Sequence, residues 1–175
     1  MSNPSDDPSA ADPEDFQAFV ASRSAHLYRT ACLLAGGDTH LAEDLVQETL
    51  GRMYAKWGKR RRIENPSGYA HTTLVNVFIS MKRRKSSAER PTEYLDETPA
   101  AAVDVELRVT LLDALGQLSA LDRAVLVLRF WEDRSVEQTA AELRISAGAV
   151  RTRCLRALGR VREQLGADFI EFAEN

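Results

Sequence analysis

"SVEQTAAELRISAGAVRTRCLRALGRVR", residues 135 to 162, decides the fold. Ser135 followed three residues later by Gln138 is a capping box, so a helix starts just after Ser135. That helix is short and runs to Leu143. Arg144, Ile145 and Ser146 form a three-residue turn, and Ser146 can cap a longer helix beyond it. Two helices at this spacing read as a helix-turn-helix. On a wheel of about 100° per residue, Val150, Cys154, Ala157, Leu158, Val161 and Leu165 gather on one face. The expected partners of that face are Val136, Ala140 and Leu143. Gly148, Thr152 and Arg156 point the opposite way. Arg153 and Arg160 line one flank, and Arg151 and Arg162 line the other.

No acid falls between residues 145 and 162. A recognition helix enters the major groove by its N-terminal end. Ala147, Gly148 and Ala149 let the backbone come close, and the free N–H groups of the first turn favour a phosphate. Arginines on both flanks then hold the groove walls while Thr152, Arg151 or Arg156 reach base edges. The competing reading is a solvated arginine face on an ordinary helix. The capping box, the short turn and the small-residue entry favour DNA contact. Cys154 falls on the core face, so it reads as packing.

Outward from this motif, the chain has 175 residues, 44% hydrophobic and 28% charged, with a formal net charge of -3. That composition is that of a soluble globular protein, and no apolar run approaches the length of a bilayer span. The N-terminal stretch is acidic and Pro/Ser-rich, which predicts no secretion signal. Cys32 and Cys154 stand far apart in no C-x-x-C pattern, which points to a reducing cytoplasm without a disulfide framework or a zinc site. Charge is segregated by segment. Asp6, Asp7, Asp12, Glu14 and Asp15 fall in the first 15 residues without a base. Arg52, Lys56, Lys59, Arg60, Arg61 and Arg62 form one basic block, and Lys82, Arg83, Arg84 and Lys85 form another. Basic blocks in a slightly acidic chain point to a polyanionic partner.

Almost every other segment reads as helix. Phe16, Phe19, Val20, Leu27, Ala31 and Leu34 recur at helical spacing and stop at Gly36-Gly37. Asp38 or Thr39 can cap a second helix with Leu41, Leu45, Thr49, Met53 and Trp57 on its inner face. Asn65-Pro66-Ser67-Gly68 is a turn, and a third helix runs from about Tyr69 to Arg84. Residues 86 to 103 contain Pro91 and Pro99 and little periodicity, which is linker composition. Fully extended, they reach roughly 60 Å at ~3.3 Å each. Asp104 to Leu118 is amphipathic. Ser119-x-x-Asp122 resembles a capping box before "LDRAVLVLRFW", which is apolar nearly all round and therefore buried. The predicted organisation is an acidic tail (1–14), a helical domain (15–86), a linker (87–103), a helix-turn-helix domain (104–166) and a C-terminal tail (167–175). The predicted class is all-α, with two small helical domains joined by a flexible linker.

Three strings carry a family resemblance. "AEDLVQE" (42–48) resembles the region-two helix by which bacterial sigma factors of the extracytoplasmic-function group, in the sigma-70 family, dock on the clamp helices of core RNA polymerase. "GYAHTTLVNVFISMKRRK" (68–85) resembles the segment that opens the minus-ten promoter element. Residues 118–162 resemble region four, whose helix-turn-helix reads the minus-thirty-five element and touches the polymerase flap. The resemblance spans about residues 15 to 165. It implies polymerase contacts at Asp44, Gln47 and Glu48, with Leu45 and Val46 shared between core and interface. It implies minus-ten contacts at Asn76, Lys82, Arg83 and Arg84, with the Asn76 amide on an exposed base edge. In the helix-turn-helix it implies Ser146, Gly148, Arg151, Thr152, Arg153 and Arg156. Many relatives carry an acid where this chain has Ser80, which bears on the local base preference. Trp57, Tyr54, Tyr69 and Phe78 read mostly as core. Linker residues Glu93, Asp96 and Glu97 are candidates to occupy space otherwise taken by nucleic acid.

The function so implied is a promoter-specificity subunit, with no chemistry and no cofactor of its own. Its expected partners are core RNA polymerase, promoter DNA and an anti-sigma protein, without membrane contact, in the cytoplasm. The alternative is a stand-alone helix-turn-helix regulator whose first half is an interaction domain. An enzyme is disfavoured. His26, His40 and His71 are scattered along the chain, no phosphate loop or G-x-S-x-G occurs, and no acid pair has metal spacing.

Overall fold

A computed structural model describes residues 13–57, 63–87 and 104–166. The acidic start, the basic run before Ile63, the linker from residue 88 and the C-terminal tail lie outside the described residues. Seven α-helices follow in order: α1 (Pro13–Ala35), α2 (Thr39–Trp57), α3 (Pro66–Ser87), α4 (Asp104–Gly116), α5 (Ala120–Leu126), α6 (Val136–Leu143) and α7 (Ala147–Leu165). A π-helical turn, Val127–Trp131, continues α5. Among the described residues there is no strand.

Local chemistry sets the ends. α1 stops at Gly36 and Gly37, whose φ angles of 66° and 88° only glycine adopts freely. Asp38 caps α2, its Oδ1 accepting from the Leu41 N–H at 2.9 Å. α3 starts at Pro66, earlier than the apolar spacing predicts. The Asn65 Oδ1 accepts from the Gly68 N–H at 2.9 Å, so the Pro-Ser-Gly stretch is the first turn of the helix.

α1, α2 and α3 enclose a core of Leu27, Ala31, Leu34, Leu41, Leu45, Met53, Leu74, Val75 and Phe78. Tyr54 departs from the core expectation: it is 60% exposed, with one face against Phe16. In the second half the apolar stripe of α7 divides between two partners. Val150 and Cys154 meet Val136, Ala140 and Leu143, as the wheel predicts, and also Val125 of α5. Ala157, Leu158, Val161 and Leu165 instead meet Ala114, Leu115, Leu118 and Leu126 on α4 and α5. A 19-residue helix is about 28 Å long, more than the eight residues of α6 can cover.

The two halves are docked on each other. α5 and its π turn supply Ala124, Val127 and Leu128 to the core of the first three helices. The same element gives Leu126 to the α4–α7 core and Val125 to the α6–α7 core. Three neighbours on three faces explain why this segment is apolar nearly all round. Its burial ends before its sequence does. Phe130 and Trp131 are 61% and 42% exposed, because the π turn swings them outward.

Candidate nucleic-acid and polymerase interfaces

The helix-turn-helix is built by three local devices. The Ser135 hydroxyl accepts from the Gln138 N–H at 3.0 Å, and the Gln138 Oε1 accepts from the Ser135 N–H at 2.8 Å. Arg144 takes a left-handed conformation at φ 55° and ends α6. Ser146 caps α7, its hydroxyl accepting from the Ala149 N–H at 3.1 Å. α7 then presents Gly148, Arg151, Thr152 and Arg156 to solvent. Arg151 meets Glu137 at 3.3 Å, an exposed pair that water screens and a phosphate can displace.

Arg153 stands apart from that set. It is half-buried, and its Nη1 lies 2.8 Å from the Oδ1 of Asp122, a residue only 3% exposed. Arg160 approaches the other carboxylate oxygen at 4.0 Å. Asp122 therefore does not complete the capping box its position suggests. Ser119 accepts from the Asp122 N–H at 3.2 Å, while the Asp122 side chain turns inward and ties α7 to α5. Leu155, on the same helix, lies off the apolar stripe and is 75% exposed.

On α2, Asp44, Gln47 and Glu48 are exposed at i, i+3 and i+4, so they share one face. Leu45 behind them is fully buried and Val46 is partly buried. Glu48 is paired with Arg52 at 2.7 Å. On α3, Asn76 is exposed between buried Val75 and Val77. Arg83 and Arg84, about two turns on, lie on the same face and are exposed. Lys82 beside them is partly buried. Burial, then the charges of Arg123 and Lys85, lower its pKa.

At the seam, Arg123 is 4% exposed. Its Nη1 donates to the Leu34 carbonyl at 2.7 Å, and its Nη2 donates to the carbonyls of Gly116 at 2.6 Å and Leu118 at 3.1 Å. One guanidinium thus satisfies carbonyls at the C-terminal ends of α1 and α4. Burial lowers its pKa to about 10, so it stays a cation. Nothing in the sequence flags this role beyond a lone arginine entering an apolar run.

The structure also corrects the scattered-histidine reading. His26 on α1 and His71 on α3 meet Glu132, which follows the π turn, and one donor atom of each lies within 4.8 Å of the others. Burial alone would raise the Glu132 pKa. The close approach of His71, with the hydrogen bonds of Thr30 and His26, outweighs it and holds the carboxyl at about 2. Cys32 and Cys154 are free thiols whose pKa burial raises, which suits packing and not reactivity.

A basic recognition helix, an acidic face on α2 and a second polar-basic face on α3 define an all-helical factor that joins DNA to a protein partner. The family model "Sigma-70 region 2" matches residues 19–88, and "Sigma-70, region 4" matches residues 114–163. The RNA polymerase sigma-E factor of Streptomyces coelicolor is 37% identical over 155 residues, covering 87% of each chain. The ECF RNA polymerase sigma factor SigL of Mycobacterium tuberculosis is 32% identical over 170 residues, covering 90% of this chain and 94% of that one. Among solved structures, the sigma factor RpoE in complex with the anti-sigma factor NepR from Bartonella quintana superposes with a TM-score of 0.70 at 28% identity. It covers 89% of this chain and 99% of that one. The chain belongs to the sigma-70 family of RNA polymerase sigma factors, in the extracytoplasmic-function group. It is a transcription initiation factor, not an enzyme, that binds core RNA polymerase and promoter DNA at the minus-ten and minus-thirty-five elements. Among the described residues no helix is long and apolar enough to cross a membrane.

Proposed function

We propose a division of labour among the faces described above. Asp44, Gln47 and Glu48 bind the clamp helices of core polymerase. Asn76 takes an exposed base of the minus-ten strand, while Lys82, Arg83 and Arg84 hold its backbone. Ser146, Gly148, Arg151, Thr152 and Arg156 engage the minus-thirty-five duplex. Arg153 supports them by fixing the recognition helix through Asp122 and swings to a phosphate only if that pair opens. The observation that carries the reading is exposure: with the two halves docked, the DNA face of α7 and the Asn76 face of α3 remain open to solvent. The protein works in the cytoplasm, where polymerase is. A chain whose halves dock on each other also suits an anti-sigma partner that holds them so. The test is run-off transcription with purified core polymerase on a pool of candidate promoters. Asp44→Arg is expected to lose core binding and initiation together while its melting temperature stays unchanged. Initiation by the unmodified chain with no loss in Asp44→Arg would overturn the assignment of that face.

A further inference from the structure

We propose that His26, His71 and Glu132 form a binding site for a divalent transition-metal ion of the zinc class, and that this ion clamps the two halves of the chain together.

The distances fit. The His26 Nε2 and the His71 Nδ1 each lie 3.1 Å from the same Glu132 Oε1. Zinc bonds of about 2.0–2.2 Å to imidazole and carboxylate give a tetrahedral edge of about 3.3 Å. Two of the three edges already have that length within a few tenths of an ångström. The third pair, the two imidazole nitrogens, lies within 4.8 Å and closes by a small rotation of His26. The His26 side chain is 37% exposed, which leaves an approach from solvent.

A hydrogen-bonded cluster without metal is the simpler reading, and His71 argues against it. The residue is 8% exposed, yet its Nδ1 has no aligned hydrogen-bond partner. The nearby carboxylate oxygen is close enough but off the line a hydrogen bond needs. A buried ring nitrogen left so is unfavourable. A cation between the nitrogen and the oxygen satisfies both.

Two imidazoles and one carboxylate make a donor set for zinc and its neighbours, whereas calcium and magnesium need more oxygens. The carboxylate is held from behind, as metal ligands commonly are. The Thr30 hydroxyl donates to the Glu132 Oε1 at 2.7 Å, and the Trp131 Nε1 donates to Thr30 at 3.0 Å. The indole of Trp131 stacks on the His26 ring at 5.8 Å.

His26 and His71 belong to region 2 and Glu132 to region 4, so only the docked chain assembles the site. Metal at a hundred-fold excess over its Kd would therefore raise the ratio of docked to open chain about a hundred-fold. A compact body the size of the described residues has a radius of gyration of about 14 Å. Two promoter elements two helical turns apart are separated by roughly 70 Å. The docked form cannot hold both, so bound metal would keep the factor off promoters. That consequence rests on the function proposed above; the metal site itself does not.

The experiment titrates Zn2+ into the metal-free full chain by calorimetry and follows Co2+ by its visible absorption. One ion per chain is expected, with the intense bands of a four-coordinate site. His26→Ala and Glu132→Gln should each weaken Zn2+ binding at least ten-fold, and His40→Ala should not. Because the His26 side chain is 37% exposed and that of Glu132 only 8%, the His26 variant folds even if the Glu132 variant does not. Zn2+ should raise the melting temperature of the unmodified chain and not that of His26→Ala. Unchanged Zn2+ affinity in His26→Ala, or no binding at all, overturns the site. In run-off transcription, Zn2+ should inhibit the unmodified chain more than His26→Ala. Equal inhibition overturns the clamp, and absence of transcription without metal would instead count against the proposed function.

Discussion

Arg123 of region 4 donates from Nη1 to the backbone carbonyl of Leu34 in region 2 at 2.7 Å, across the seam between the halves. The same side chain closes the end of α4 through Gly116 and Leu118 and lies over the Phe78 ring at 5.7 Å. Arg123→Met removes all three hydrogen bonds and leaves carbonyls under-satisfied at two helix ends. The expected loss is about 3 kcal/mol of stability, with undocking ahead of full unfolding. Urea titration followed by tryptophan fluorescence reads both, since Trp131 sits beside the seam. A single unshifted transition would show that the guanidinium is not what joins the halves.

Gly36 and Gly37 separate two causes of strain. Both have positive φ, so alanine at either position carries a backbone penalty of about 1–2 kcal/mol. A Cβ on Gly36 would also come within 2.6 Å of the Gly116 Cα, whereas on Gly37 it would meet Leu112 at an ordinary 3.4 Å. Gly36→Ala is therefore expected to loosen docking and lose more stability than Gly37→Ala. Small-angle scattering should show an expanded chain for the first variant only. Equal expansion in both would place the seam elsewhere.

Lys82 disfavours the docked state that its neighbours stabilise. Its pKa is lowered by burial and by Arg123 and Lys85, so the docked form penalises its charge. The penalty is present at neutral pH and is relieved as pH rises from the lowered value toward the ordinary 10.5. Lys82→Gln should raise docked-state stability by less than about 1 kcal/mol and flatten its rise at alkaline pH. The same variant should weaken minus-ten DNA binding. Stability and DNA affinity moving in the same direction would refute this opposition.

Arg156 and Arg153 lie on one helix with different duties. Arg156 is exposed on the face proposed for DNA, and Arg153 is engaged with buried Asp122. Arg156→Ala should weaken minus-thirty-five binding by about 1–3 kcal/mol with no change in melting temperature or core affinity. Arg153→Ala should lower the melting temperature, because it leaves a buried carboxylate with only the 4.0 Å approach of Arg160. Gel-shift titrations at fixed salt, paired with thermal melts, decide it. A stable Arg153→Ala chain with lost DNA binding would restore Arg153 to the direct contacts.

Periodicity, caps and breakers in the sequence determined the helices, the helix-turn-helix and its exposed basic face, because these depend on residues within a few positions of one another. The glycines after Ala35, the capping box at Ser135 and the α7 stripe are all of that kind. The family strings pointed to the exposed faces of α2 and α3 proposed as contacts for the same reason: each lies within a few turns of one helix. Tertiary structure alone decided what crosses between the halves. The docking of α5 on α1 and α3, the Arg123–Leu34 bond and the meeting of Glu132 with His26 and His71 join residues as many as 106 positions apart; the Asp122–Arg153 anchor, within the second half, joins residues 31 apart. Such pairs have no period and no local cap to betray them. They arise when an apolar segment is shared by two bodies and the polar groups at its edges must find partners out of water.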